Sequence, residues 1–332
     1  MTKNSILLWQ KGAEFLNCEH SIMCGAMSWV SEHNLVSAIS NAGGFGVIAC
    51  GSMSPELLHK EIKLTKEKTK QSFGVNLITM HPQINDLIKV CIDSQISHVV
   101  LAGGLPRSHS ILKLKEQNIK VMCFAPALSL AKRLIKMEVD ALIIEGMEAG
   151  GHIGPVTTSV LAQEILPYVT EVPVFVAGGI GCGEMIASYL RMGASGCQLG
   201  TRFVCAYESI AHDNFKLAFI KASARDAVSS VQIDPEFTVI PVRALANKSS
   251  NAFAQVQIST IIDYKAGKIS KEDAQLKIER YWAGALRRAV IEGDIEHGSV
   301  MAGQSVGMVK CEQSAQEIIN EFIRQMYNSL NC

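Results

Sequence analysis

Eight short apolar runs, separated by helix-like stretches, leave this chain few architectures to choose from. The runs are Ser21–Cys24, Phe45–Ala49, Phe73–Leu77, His98–Ala102, Val121–Ala125, Ala141–Ile144, Val174–Ala177 and Gly196–Leu199. Helical patterning is predicted between them, over Glu32–Asn41, Pro55–Lys70, Asn85–Ser94, His109–Gln117, Leu128–Met137, Ser159–Val169 and Glu184–Met192. Regular alternation of the two predicts βα units and a parallel sheet. The strands read as continuous apolar runs, as expected when both faces of a sheet are covered. Eight units favour an α/β fold closed into a TIM (β/α)8 barrel over an open doubly wound sheet, which usually has fewer strands.

The alternation stops near Thr201. We therefore expect residues 1–204 and 299–332 to build the barrel and residues 205–298 to form a mainly helical insertion, a cap over the barrel mouth. Within it, 231–242 is irregular and contains proline. The stretch 272–292 reads as one amphipathic helix with Leu276, Ile278, Trp282, Leu286 and Val290 on its apolar face. A C-terminal closing helix near 314–327 returns to the barrel wall. The charge-dense run 60–70 reads as a solvated helix face.

Composition excludes several function classes. The 31 basic and 31 acidic residues balance, which argues against a nucleic-acid-binding or polybasic membrane surface. The apolar stretch in residues 1–11 is too short for a signal peptide, and no apolar run reaches the roughly 18 residues of a spanning helix. Ten cysteines without a C-x-x-C pair indicate neither a zinc knuckle nor a disulfide framework and fit reduced thiols in the cytoplasm.

Glycines cluster just after the predicted strands, where barrel enzymes build their sites. The sixth strand runs into Glu145-Gly146-Met147-Glu148-Ala149-Gly150-Gly151-His152-Ile153-Gly154. Glycines let backbone approach a ligand closely, and His152 is the one side chain there whose ordinary pKa lies near neutrality. Such a loop suits proton transfer. Glu145 and Glu148 could pair as acid and base, or bind a ligand, or cap a helix. The loops after the seventh and eighth strands carry Gly178-Gly179-Ile180-Gly181 and Gly200-Thr201. Loops at these positions often bind phosphate through backbone N–H groups, so Gly178, Gly179, Gly200 and Thr201 are a candidate cradle.

Other chemistry finds less support. The glycine-rich stretch 177–183 resembles a dinucleotide fingerprint, but no acidic residue ends the next strand, Gly196-Cys197-Gln198-Leu199. No H-E-x-x-H spacing suggests a metal, and no G-x-S-x-G elbow suggests a serine nucleophile. None of the eight strand ends offers the lysine of a Schiff-base aldolase. A phosphate-binding sensor barrel would have no need of His152.

The ordered motifs resemble the FMN-dependent nitronate monooxygenase (2-nitropropane dioxygenase) and enoyl-acyl-carrier-protein reductase II family. The resemblance rests on residues 145–154, Gly25-Ala26-Met27-Ser28-Trp29-Val30, Asn41-Ala42-Gly43-Gly44-Phe45-Gly46, Phe73-Gly74-Val75-Asn76, Ala177-Gly178-Gly179-Ile180, Gly200-Thr201-Arg202-Phe203 and Gly298-Ser299-Val300-Met301-Ala302-Gly303-Gln304. It spans roughly residues 20–325 and implies an FMN-bearing barrel oxidoreductase. On it, Gly178, Gly179, Gly200 and Thr201 would hold the phosphate. Gly25, Ala26, Met27 and Asn76 would lie against the ring and ribityl chain, with Glu145, Gly150 and Gly151 nearby. Met301, Gly303 and Gln304 would close over the cofactor, and His152 would be catalytic. Two activities follow: NAD(P)H-dependent reduction of an α,β-unsaturated acyl thioester, or oxidation of alkyl nitronates with O2. The spellings around Met27 and Met301 are closer to the reductase branch, and the stretch 21–24 departs from a monooxygenase-type opening. Acyl carrier protein and a second copy of the chain are the partners this family admits.

Overall fold

The structure, a computed structural model, describes residues 3–331. Its strands are β1 (Ile22–Cys24), β2 (Gly46–Ala49), β3 (Phe73–Ile78), β4 (His98–Ala102), β5 (Lys120–Phe124), β6 (Ala141–Glu145), β7 (Gly151–His152), β8 (Val174–Ala177), β9 (Gly196–Leu199), β10 (Ala227–Ser229) and β11 (Val242–Leu245). Eight of them form one parallel sheet in the order β1-β9-β8-β6-β5-β4-β3-β2. The ring closes where β1 meets β2: Phe45 N–H donates to the Ile22 carbonyl and Cys24 N–H to the Phe45 carbonyl, both at 2.9 Å. These are the eight runs expected from sequence, and the architecture is the expected (β/α)8 barrel.

Closure turns every second side chain inward. Met23, Phe45, Val47, Val100, Met122, Ala141, Ile143, Phe175 and Ala177 fill the interior. Burial of each large apolar side chain contributes about 1.5–3 kcal/mol. The lower end is sealed by a helix that the sequence reading did not anticipate, Lys3–Leu16, which delivers Phe15 and Leu16 to the same interior. His98 Nε2 lies 2.8 Å from the Phe15 carbonyl, and Lys120 Nζ donates to that oxygen as well. Burial pushes the His98 imidazole down to about 4, so near pH 7 it is neutral and Nε2–H donates.

The outer helices follow local rules. Pro55–Lys68 starts with Ser54 accepting from Leu57 N–H and with proline in its first turn, where the missing donor costs nothing. It buries Leu58, Ile62 and Thr65 and leaves Lys60, Lys63 and Lys66 exposed, so most of its charge run is a solvated face. Glu61 is the exception: buried, it meets the His33 Nδ1 at 2.7 Å. The described cysteines are free thiols. No helix among the described residues is long and apolar enough to cross a membrane.

After β9 the chain leaves the barrel through Asp213–Lys221, Lys248–Lys265 and Lys271–Glu292, the last ended by Gly293 in the left-handed conformation. A separate core gathers Phe237, Phe253, Ile261, Ile278 and Trp282, with the Phe253 and Trp282 rings 4.1 Å apart. Leu276 is a correction to the expected apolar face. It is 44% exposed, because two residues along a helix from Ile278 points nearly the opposite way. The last helix, Ala315–Asn331, packs on Gly183–Arg191 of the barrel wall.

Candidate active site at the carboxyl ends of the strands

Polar side chains collect where the barrel interior opens. On β6, Ala141 and Ile143 point inward, and Glu145 continues that side of the strand. Gln198 sits level with the inward-facing Ala177, and Asn76 level with Val100. Asn76 is buried with its Nδ2 3.4 Å from the Val100 carbonyl. Gln198 is buried, and its side-chain amide makes no hydrogen bond to a described residue. Sequence reading had passed over Gln198. Its signal was available: an amide inside a four-residue strand buried throughout.

The Glu145 carboxyl makes no hydrogen bond to a described residue either. Loss of hydration pushes its carboxyl up to about 7, against a smaller opposing pull from His152. A raised acid binds its proton more tightly folded than unfolded. Stability therefore falls as pH rises through the window between its ordinary value and about 7, and is level above it. We expect urea melts of the wild type to lose about 1–3 kcal/mol across that window relative to Glu145→Gln. Parallel pH profiles for the two proteins would contradict this.

The loop after β6 is held by close backbone packing. A Cβ on Gly146 would fall 2.0 Å from Thr158 Oγ1, and one on Gly150 would fall 2.6 Å from Gly303 N. Glu148 accepts from Thr158 N–H at 2.8 Å and from its hydroxyl at 2.9 Å, which fixes the start of helix Thr158–Ile165. Of the two carboxylates left open by the sequence, Glu148 thus caps a helix and Glu145 faces the mouth. Gly151 has φ +77°, and a Cβ there would meet Met301 Sδ at 3.6 Å.

His152 is not in a free loop. With Gly151 it forms β7, which pairs antiparallel with β11 of the insertion, Val242 opposite His152 and Arg243 opposite Gly151. Arg243 Nε donates to the Met147 carbonyl at 2.9 Å, and Ile153 N–H donates to the Pro241 carbonyl at 3.0 Å. The cap therefore shapes the histidine loop directly. The His152 ring is 44% exposed, and its Nε2 lies 3.1 Å from Oε2 of Glu279 on the helix Lys271–Glu292. Sequence reading missed Glu279, which no local motif marks.

The remaining candidates converge on the same opening. Gly178 and Gly179 have φ +93° and +73°. Among the described residues, the backbone N–H groups of Gly178, Gly179, Gly200 and Thr201 have no hydrogen-bond acceptor. Gly25 N–H donates to the Leu199 carbonyl at 2.7 Å, and its Cα side faces Gly200. Met27 Sδ lies beside Gly200, and Ala26 packs on the barrel interior. The C-terminal segment crosses this group: Gly303 N–H donates to Thr201 Oγ1 at 3.0 Å, and Gln304 N–H to the Glu148 carbonyl at 2.9 Å. Met301 touches both the barrel core and the cap core. The arrangement offers four unpaired backbone donors for an anion, a raised carboxyl, and a histidine backed by a carboxylate.

Comparison with known proteins gives a consistent family. The model for nitronate monooxygenase matches residues 10–91 and 87–325. A (3aS,4S,5R,7aS)-5-hydroxy-7a-methyl-1-oxo-octahydro-1H-indene-4-carboxyl-CoA dehydrogenase of Mycobacterium tuberculosis is 27% identical over 93% of this chain and 94% of its own. A probable nitronate monooxygenase of Staphylococcus aureus is 26% identical over 96% of this chain and 98% of its own. The solved structure of FabK from Thermotoga maritima superposes with a TM-score of 0.85 at 36% identity, covering 96% of both chains.

Proposed function

The chain belongs to the nitronate monooxygenase family of oxidoreductases, and on that premise we propose that it uses FMN and NAD(P)H to reduce an α,β-unsaturated acyl thioester. The observation that carries this reading is the joint position of four unpaired N–H groups and the Glu145–His152 pair at one barrel opening. A phosphate monoester needs several convergent donors and little side-chain bulk, and Gly178, Gly179, Gly200 and Thr201 meet both needs. Gly25, Ala26, Met27 and Asn76 would hold the ring and ribityl chain, with Glu145, Gly150 and Gly151 beside them. Met301, Gly303 and Gln304 would cover the group from the C-terminal segment. When bound, FMN supplies hydride transfer.

The protein's own residues supply position and a proton. His152 donates from its ring to the substrate α-carbon, or hydrogen-bonds the thioester carbonyl, as negative charge develops there. Support for a thioester comes from the 36% identity to FabK, an enoyl-acyl-carrier-protein reductase II, and from a relative named as acting on a CoA ester. The acyl group would be carried on coenzyme A or acyl carrier protein. Nitronate oxidation is the second reading, favoured by the family match and the staphylococcal relative. There His152 would orient the nitro group or remove its α-proton.

The purified protein is expected to be yellow and to release FMN on denaturation. NAD(P)H consumption with crotonyl-CoA should exceed oxygen uptake on propyl nitronate. A colourless protein that FMN cannot reconstitute would overturn both readings, and the reverse ratio of rates would select the second.

A further inference from the structure

We propose that Glu279, 127 positions from His152 in sequence, is the positioning residue of the site, its carboxylate holding His152 Nε2 so that Nδ1 is the nitrogen that exchanges a proton with the substrate. The inference rests on the role given to His152 above and adds the partner that sets its orientation. Three observations support it. The Nε2 to Oε2 separation is 3.1 Å, a contact distance for an ion pair. The cap that carries Glu279 also carries β11, whose pairing with β7 and whose Arg243 contact to the Met147 carbonyl fix the histidine backbone. Both members of the pair are partly exposed, 44% and 38%, so substrate can reach the ring without a buried charge being stranded.

The chemistry follows the general pattern of a proton-transfer residue oriented by a third group. An imidazole whose Nε2 faces a carboxylate keeps its proton on that nitrogen. In the imidazolium, Nδ1–H is then the bond that breaks as the substrate α-carbon gains its hydrogen. The ring returns to the neutral form with its proton retained on Nε2 beside Glu279, and a solvent proton restores Nδ1–H. Glu145 on β6 also acts on this ring through space, Glu148 belongs to the same loop and Arg243 to the strand paired with it. Glu148 is committed to Thr158 and Arg243 to backbone carbonyls, and Glu145 acts on the ring only through space, so Glu279 is the carboxylate in contact with the ring nitrogen.

A double-mutant cycle on the flavin-loaded enzyme tests the proposal, with crotonyl-CoA and NAD(P)H as probes. Glu279→Gln should lower kcat about tenfold with little change in KM, as expected when a proton-transfer group loses the residue that orients it. Introduced beside His152→Ala, it should cost nothing further. Glu279→Asp should recover part of the loss. Melting temperature and flavin content of each variant separate misfolding from the effect. If the Glu279→Gln and His152→Ala losses multiply, or Glu279→Asp recovers none of the loss, the positioning role is overturned while the reading of His152 stands. Full turnover in His152→Ala would overturn both.

Discussion

Replacing His152 by alanine is expected to lower turnover by about 10²–10⁴-fold, the usual contribution of a positioned acid or base, while the flavin spectrum and its titration remain close to wild type. The separation of the two effects follows from where the residue stands. His152 is exposed at the mouth and contacts the cap through Glu279. The unpaired donors for phosphate lie on the loops after β8 and β9. On the proposed function, its truncation removes the proton donor and leaves the loops after β8 and β9 unchanged. Pre-steady-state measurements sharpen the test: flavin reduction by NAD(P)H should keep its rate, and reoxidation by the enoyl thioester should slow. Equal turnover in wild type and variant would return His152 to a structural role.

The second large effect is expected from Gly150→Ala. An added Cβ would lie 2.6 Å from Gly303 N and 2.7 Å from the Ala302 carbonyl carbon, both backbone atoms that cannot rotate away. The C-terminal segment would have to lift, straining the Gly303–Thr201 and Gln304–Glu148 hydrogen bonds. Overpacking of this kind costs about 1–3 kcal/mol, and we expect FMN affinity to fall about tenfold or more. Gly154→Ala is the matched control. It belongs to the same glycine-rich stretch, yet a Cβ there meets nothing within 4 Å. Flavin fluorescence titration should therefore separate the two alanine variants. Equal affinities would show that the closing segment does not depend on this contact.

The contrast between Gly150 and Gly154 marks how far the sequence could be read. Its glycines announced a loop with room for a ligand, but only contacts with Ala302 and Gly303, far along the chain, distinguish the glycine that must be small from the one that need not be. The eight barrel strands were legible because a strand buried on both faces must be apolar along its length, and that pattern survives in one dimension. The N-terminal helix was not, because its function is to present Phe15 and Leu16 to an opening that exists only after the barrel closes. Leu276 failed for a different reason: two residues from Ile278, it lies off the apolar face by helical spacing itself, which the sequence already held.

The sequence by itself determined the order of the strands, the loops that carry the glycines, and the presence of a histidine able to exchange a proton near neutral pH. These are local properties of composition and spacing. Tertiary structure decided the roles within the site. It committed Glu148 to a helix start and left Glu145 desolvated at the mouth. It made His152 part of a sheet shared with the insertion and brought Glu279 to its ring. Electrostatic partners are chosen by distance in space, and that distance is set here by the pairing of β11 with β7 and by the separate core of the insertion.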